Sequence, residues 1–176
     1  MFLDAADDPR ENGPRMVDEK STLVEYLRVY RLTLEIKCQG LDAEQLARRS
    51  VEPSTMSLLG LIRHMADVER SWFKRVMSGQ SDLPRIYSDE NNRDGDFDDV
   101  VADPAMVEDA WTRWREEVAY AEQLVADATD LGMTGKHPVY GDFSLREVLV
   151  HMIEEYARHM GHADLLRERI DGRVGQ

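Results

Sequence analysis

A chain of 176 residues, 42% hydrophobic and 32% charged, has the length of one domain and enough apolar side chains to bury a core. With 35 acids against 22 bases the net charge is −13, so the surface repels phosphate backbones and nucleic acid is not expected as a partner. No apolar run nears the roughly 20 residues that span a bilayer. The opening MFLDAADDPRENGPR has acids where a signal peptide needs bases, and the lone Cys38 has no disulfide partner, so a cytoplasmic protein without a membrane partner is expected.

Residues 1–17 mix prolines, a glycine and charges without periodicity and read as a flexible N-terminal arm, with the folded domain at 18–176. From Asp18 to about Lys37, Leu23, Tyr26, Leu27, Tyr30 and Leu34 recur at three- and four-residue steps, which predicts a first helix that stops before Gly40. Asp42 and Gln45 have capping-box spacing for a short helix reaching Arg49. A second long helix is expected after Pro53, from the Ser54–Ser57 stretch to Ser78, with Leu58, Leu61, Ile62, Met65, Val68, Trp72 and Val76 inward. The acidic stretch 81–103 is longer than a bundle connection needs, as functional covers and disordered segments are. Pro104 opens a third helix to about Ala128 that buries Val107, Trp111, Trp114, Val118, Ala121 and Val125. A glycine-containing loop follows, and Ser144 with Glu147 forms a second capping box that opens a fourth helix ending at Gly172. No run alternates as a strand would, so the expected class is all-α, a four-helix bundle with a long acidic loop between helices two and three.

The chemistry-bearing residues gather on the fourth helix. At about 100° per residue, with His151 at zero, Glu155 falls at about 40°, His159 at about 80° and His162 at about 20°. The apolar stripe is centred near about 100°, so His159 points inward, Glu155 sits on the flank, and His151 and His162 lie nearer the rim. Glu155 and His159, one turn apart, can reach a common ion, and the second helix offers His64 as a third ligand. A lone histidine on an apolar face is more often a hydrogen-bonded core residue. A carboxylate leaving water is different, because it needs a positive partner, and here that partner is Arg63, Arg158 or a metal. Glu69 lies on the apolar side of helix two, placed either to line a cavity or to pair with an arginine. Glu90 to Val101 has calcium-loop spacing but ends on Val101 rather than an acid, and Cys38 reads as a buried small hydrophobe.

The segments SLLGLIRHMADVERSWF (Ser57–Phe73) and FSLREVLVHMIEEYARHMGHADLLRERIDG (Phe143–Gly172) resemble the two signature helices of the DinB-like superfamily of four-helix metalloproteins. Many members carry a histidine on the second helix and a His-x-x-x-His pair on the fourth. This chain has Glu155 at the first position of that pair, as in the zinc site of the related mycothiol-dependent maleylpyruvate isomerases. The resemblance implies a divalent ion, zinc or alternatively nickel, on His64, Glu155 and His159. It also implies transfer of a low-molecular-weight thiol such as mycothiol or bacillithiol to an electrophilic substrate, with Tyr156, His162 and Glu69 as candidate proton-handling or supporting groups. It further implies a homodimer. Two rivals remain: metal-dependent hydrolysis at the same site with His151 or Glu69 as base, and no enzyme at all, either a bundle whose ion is structural and closed by His162 or a stress-linked binding module.

Overall fold

The computed structural model describes residues 3, 4 and 7–175. Each long helix begins where a side chain satisfies its free backbone N–H groups. Asp18 accepts from Ser21 N to open α1 (Glu19–Cys38). The Asp42/Gln45 box opens the short α2 (Ala43–Ala47), and Ser57 accepts from Gly60 N at the start of α3 (Leu58–Glu69). The helix expected from Ser54 thus starts four residues later. After Glu69 it continues without a break into a π-helical stretch, Arg70–Met77, with wider turns. The acidic stretch holds one helical turn, α4 (Gly95–Asp98). Asp103 caps α5 (Pro104–Asp127), and the Ser144/Glu147 box opens α6 (Leu145–Asp171), which closes on Gly172 at φ 79°.

The chain is mostly helical. Helix α1 packs on α6, α3 packs on both α5 and α6, and the π-helical stretch lies against α5. Leu27, Leu34, Leu61, Met65, Ala121, Met152 and Ala163 are among the side chains that fill the core between them. Tyr26, expected inward, is 58% exposed, because the stripe of α1 that turns inward is Leu27, Arg31, Leu34 and Cys38 and Tyr26 lies about 100° around from Leu27. Burial lifts the Cys38 thiol to about 12, so it packs as a neutral group. In the N-terminal segment, Arg10 pairs with Asp8 and donates to Thr33 Oγ1, while Arg28 reaches the Pro9 carbonyl.

The expectation of no strand is corrected by a hairpin, β1 (Thr134–His137) and β2 (Gly141–Ser144), paired antiparallel with Thr134 opposite Ser144. Four-residue strands are too short to show an alternating pattern. Local chemistry makes the turn instead, with His137 Nδ1 accepting from the backbone of Val139 and Tyr140 at 3.1 and 3.2 Å. The hairpin seats on the π-helical stretch through Gly135, where a Cβ would meet Val76 O at 2.5 Å and Met77 Cα at 2.7 Å.

These backbone atoms cannot move aside, so Gly135→Ala should cost about 1–3 kcal/mol. Gly161, inside α6 with open space around its Cα, is the matched control: Gly161→Ala should stabilise by about 0.5–1 kcal/mol. Urea denaturation of both variants measures the difference, and a neutral Gly135→Ala would show that the hairpin is not seated there.

Candidate metal centre

The acidic stretch is fastened to α3 at two successive turns. Arg63 Nε and Nη2 donate to the carbonyls of Asp96 and Gly95 at 3.0 and 2.9 Å, and the guanidinium lies 4.1 Å from the centre of the Tyr87 ring. Asp67 accepts from the backbone of Ile86 and Tyr87 at 2.5 and 3.1 Å, and burial is the main reason its carboxyl titrates above the usual range. Gly60 leaves room for Phe97, whose Cδ1 would lie 2.6 Å from a Cβ at that position. With the loop held this way, buried Asp96 places Oδ2 2.7 Å from His64 Nδ1, and the Phe97 ring packs 5.3 Å from the imidazole. A carboxylate on Nδ1 selects the tautomer that keeps the proton there and leaves the lone pair on Nε2.

Helix α6 supplies the facing pair. His159 Nε2 lies 3.4 Å from Glu155 Oε2, and the rings of His64 and His159 are 4.6 Å apart, edge to face. One donor atom from each of His64, Glu155 and His159 lies within 4.8 Å of the others. Burial, followed by the positive charge His64 can carry, lowers His159 to about 4, with Glu155 opposing, so His159 is a neutral donor at pH 7.

The donor set fits a divalent transition metal. Two ligands on a tetrahedral ion with bonds of ~2.0–2.1 Å are ~3.3 Å apart, which matches the Glu155–His159 separation, and nitrogen and oxygen donors of this kind suit zinc. The alternative partners expected for Glu155 are engaged elsewhere. Arg63 holds the loop, and Arg158, 57% exposed, lies 3.8 Å from Glu154. Glu155 itself is 18% exposed, and its ion-pair neighbours among the described residues are His159 and, at 3.7 Å, His151.

The other expected site residues divide. His162 Nδ1 is 3.4 Å from His159 Nδ1, behind the face that meets Glu155. Tyr156 and Glu69 belong to a buried network instead. Glu69 accepts two 2.8 Å hydrogen bonds from Arg31, Tyr156 donates to Glu69 at 2.8 Å, and Trp114 Nε1 donates to Tyr156 at 2.9 Å. Burial and the neighbouring carboxylate push the Tyr156 phenol well above its ordinary value. Asp96 and Asp67 escaped the sequence reading, and Arg63, expected among the partners of Glu155, holds the acidic stretch instead. In a run such as DENNRDGDFDD nothing separates Asp96 from its neighbours, and the length of the loop was the one available signal.

A family model described as Mycothiol-S-transferase matches residues 22–172. The chain belongs to this family. The mycothiol-S-transferases are a DinB-like family, so the recognition made on the two signature helices holds. The match spans every residue of the cluster and the whole acidic stretch. A crystal structure of a conserved protein from Enterococcus faecalis aligns with a TM-score of 0.62 at 17% identity, covering 89% of this chain and 99% of the other, and shares the fold. No curated protein matches the chain.

Glu69→Ala should cost about 3–5 kcal/mol in urea denaturation, because it leaves the Arg31 guanidinium, 8% exposed, without its buried carboxylate and with only the longer 3.5 Å contact to exposed Glu122. Arg31→Met with Glu69→Leu should recover much of that loss. A Glu69→Ala protein of unchanged stability would assign Glu69 a role other than this one.

Proposed function

We propose that the four long helices form a bundle and that the chain is a metal-dependent S-transferase, joining a low-molecular-weight thiol of the mycothiol type to an electrophilic carbon. The observation that carries the reading is the convergence of His64, Glu155 and His159, inside a chain of the mycothiol-S-transferase family. Zinc is the first choice of ion and nickel the alternative. A divalent ion in this setting lowers the pKa of a thiol from about 8.5 and so makes thiolate available at neutral pH.

The side chains divide the remaining work. His64 and His159 offer nitrogen donors, and Glu155 brings the one negative charge among the three ligands to offset a doubly positive ion. Asp96 orients His64 and, through the Arg63 anchor, fixes the loop over it. In the reaction the thiol gives up its proton to solvent, the sulfur electron pair forms the C–S bond, and the leaving group departs with the C–X pair. With a conjugated alkene as electrophile, a proton returns to carbon instead.

The rivals have less support. Hydrolysis needs a base free to take a proton from water, and Glu69 is bound to Arg31 and Tyr156, which leaves His151 packed on Trp72. A structural ion needs a fourth protein ligand, and His162 faces His159 on the nitrogen away from Glu155.

Cobalt-substituted protein tests the reading. Added mycothiol or bacillithiol should raise a sulfur-to-cobalt charge-transfer band in the near ultraviolet, and the protein should then consume thiol in the presence of an activated aryl halide. Glu155→Gln should weaken both. If neither thiol changes the spectrum while an ester is turned over, the hydrolase reading replaces this one.

A further inference from the structure

A second concave site lies beyond Trp72, whose ring packs on His151 at the edge of the His64, Glu155 and His159 cluster. The π-helical stretch and the hairpin enclose a cleft of about 330 Å³, lined by Trp72, Arg75, Arg85, His137, Pro138 and Val139 among others. That volume is at the small end of what encloses an organic ligand. Two features shape it. The first is the widened helical turn, a distortion that often marks functional positions, on which both Trp72 and Arg75 are carried. The second is Gly135, whose contact with the backbone of Val76 and Met77 brings the hairpin close enough for His137 to lie 5.7 Å from Trp72, with the rings tilted by 33°.

The charge at this cleft runs against that of the molecule. In a chain of net charge −13, Arg75 and Arg85 have no carboxylate within ion-pair distance among the described residues. Arg75 hydrogen-bonds only to the Ser81 carbonyl, at 3.3 and 3.4 Å, and Arg85 only to the Ser88 hydroxyl, at 3.4 Å, with the Asp67 carboxylate attracting it from beyond ion-pair distance. Both are long contacts that a better acceptor would displace. Other arginines of this chain, such as Arg31, Arg70 and Arg146, hold carboxylates at 2.7–2.8 Å. Trp72 also joins the cleft to the cluster, since its ring lies 4.5 Å from that of His151, whose Nε2 is 3.7 Å from Glu155.

We propose that this cleft binds the electrophilic cosubstrate, and that it selects a planar conjugated or aromatic carboxylate. The flat part of the ligand lies against Trp72 and His137, and its carboxylate is taken by Arg75 and Arg85, whose planar guanidinium forks suit that group. The assignment deepens the S-transferase reading and rests on it for the role of the ligand. The binding itself requires no thiol.

The test uses 3,5-dinitrobenzoate and its methyl ester, a pair with the same ring and different charge, titrated calorimetrically into the full-length protein. The carboxylate should bind at least tenfold more tightly than the ester. Arg75→Gln with Arg85→Gln should abolish that preference while leaving affinity for the ester within about twofold. Both results should persist in protein stripped of metal by a chelator, which separates the cleft from direct carboxylate capture by an ion. Equal binding of acid and ester, a preference that survives the double variant, or one lost with the metal overturns the cleft. The reactive pair 4-chloro-3,5-dinitrobenzoate and its methyl ester, given with mycothiol, tells the two claims apart. Arginine-dependent binding without thiol consumption retains the cleft and removes the transferase. Thiol consumption that is equal for both compounds and insensitive to the arginines does the reverse.

Discussion

Glu155 is a mostly buried carboxylate surrounded by imidazoles, and the rest of the site follows from that constraint. Taking such a charge out of water costs several kcal/mol unless a cation or several donors replace the solvent. Its nearest basic neighbours are His151 and His159, and His159 is held neutral near pH 7 by its own burial. The arginines that could have paired with it are turned away, Arg63 to the loop and Arg158 to Glu154. The proposed divalent ion, shared with the two histidine nitrogens, would resolve the imbalance.

The acidic stretch between α3 and α5 meets a related requirement. A loop this rich in carboxylates has little tendency to collapse by itself. Its hold on α3 comes from Arg63 below the Gly95–Asp98 turn and from Asp67 below Ile86 and Tyr87. One product of that anchoring is the Asp96–His64 hydrogen bond. Elsewhere buried polar groups hold the fold together: Arg31, Glu69, Tyr156 and Trp114 join α1, α3, α5 and α6 in one network, which reaches the surface through the 3.5 Å contact of Arg31 with Glu122.

Helical periodicity and caps made the long helices legible in the sequence. Asp18, Asp42, Ser144 and Gly172 mark ends that the structure retains, and the apolar stripe of α6 from Leu145 to Leu166 is buried as expected. The i, i+4 spacing of Glu155 and His159 was equally plain, because it needs only the pitch of one helix. Meeting His64 depended on how α3 crosses α6, which spacing along a chain does not encode. The π-helical stretch and the hairpin were illegible for a linked reason. The signal for each is its contact with the other, through Gly135 on Val76 and Met77, which lie 59 and 58 residues away in sequence. Glu69 was legible only as two alternatives, since burial on an apolar face suits a structural ion pair as well as a cavity-lining group, and the structure pairs it with Arg31.

Zinc K-edge X-ray absorption on the metal-loaded, full-length protein tests the central claim most directly. About one zinc per chain is expected, with two imidazole nitrogens and light oxygen neighbours in its shell. Glu155→Gln should change the oxygen shell, and His64→Ala with His159→Ala should abolish stoichiometric loading. Zinc retained at full stoichiometry by the double-histidine variant, or a shell indifferent to Glu155, would contradict it.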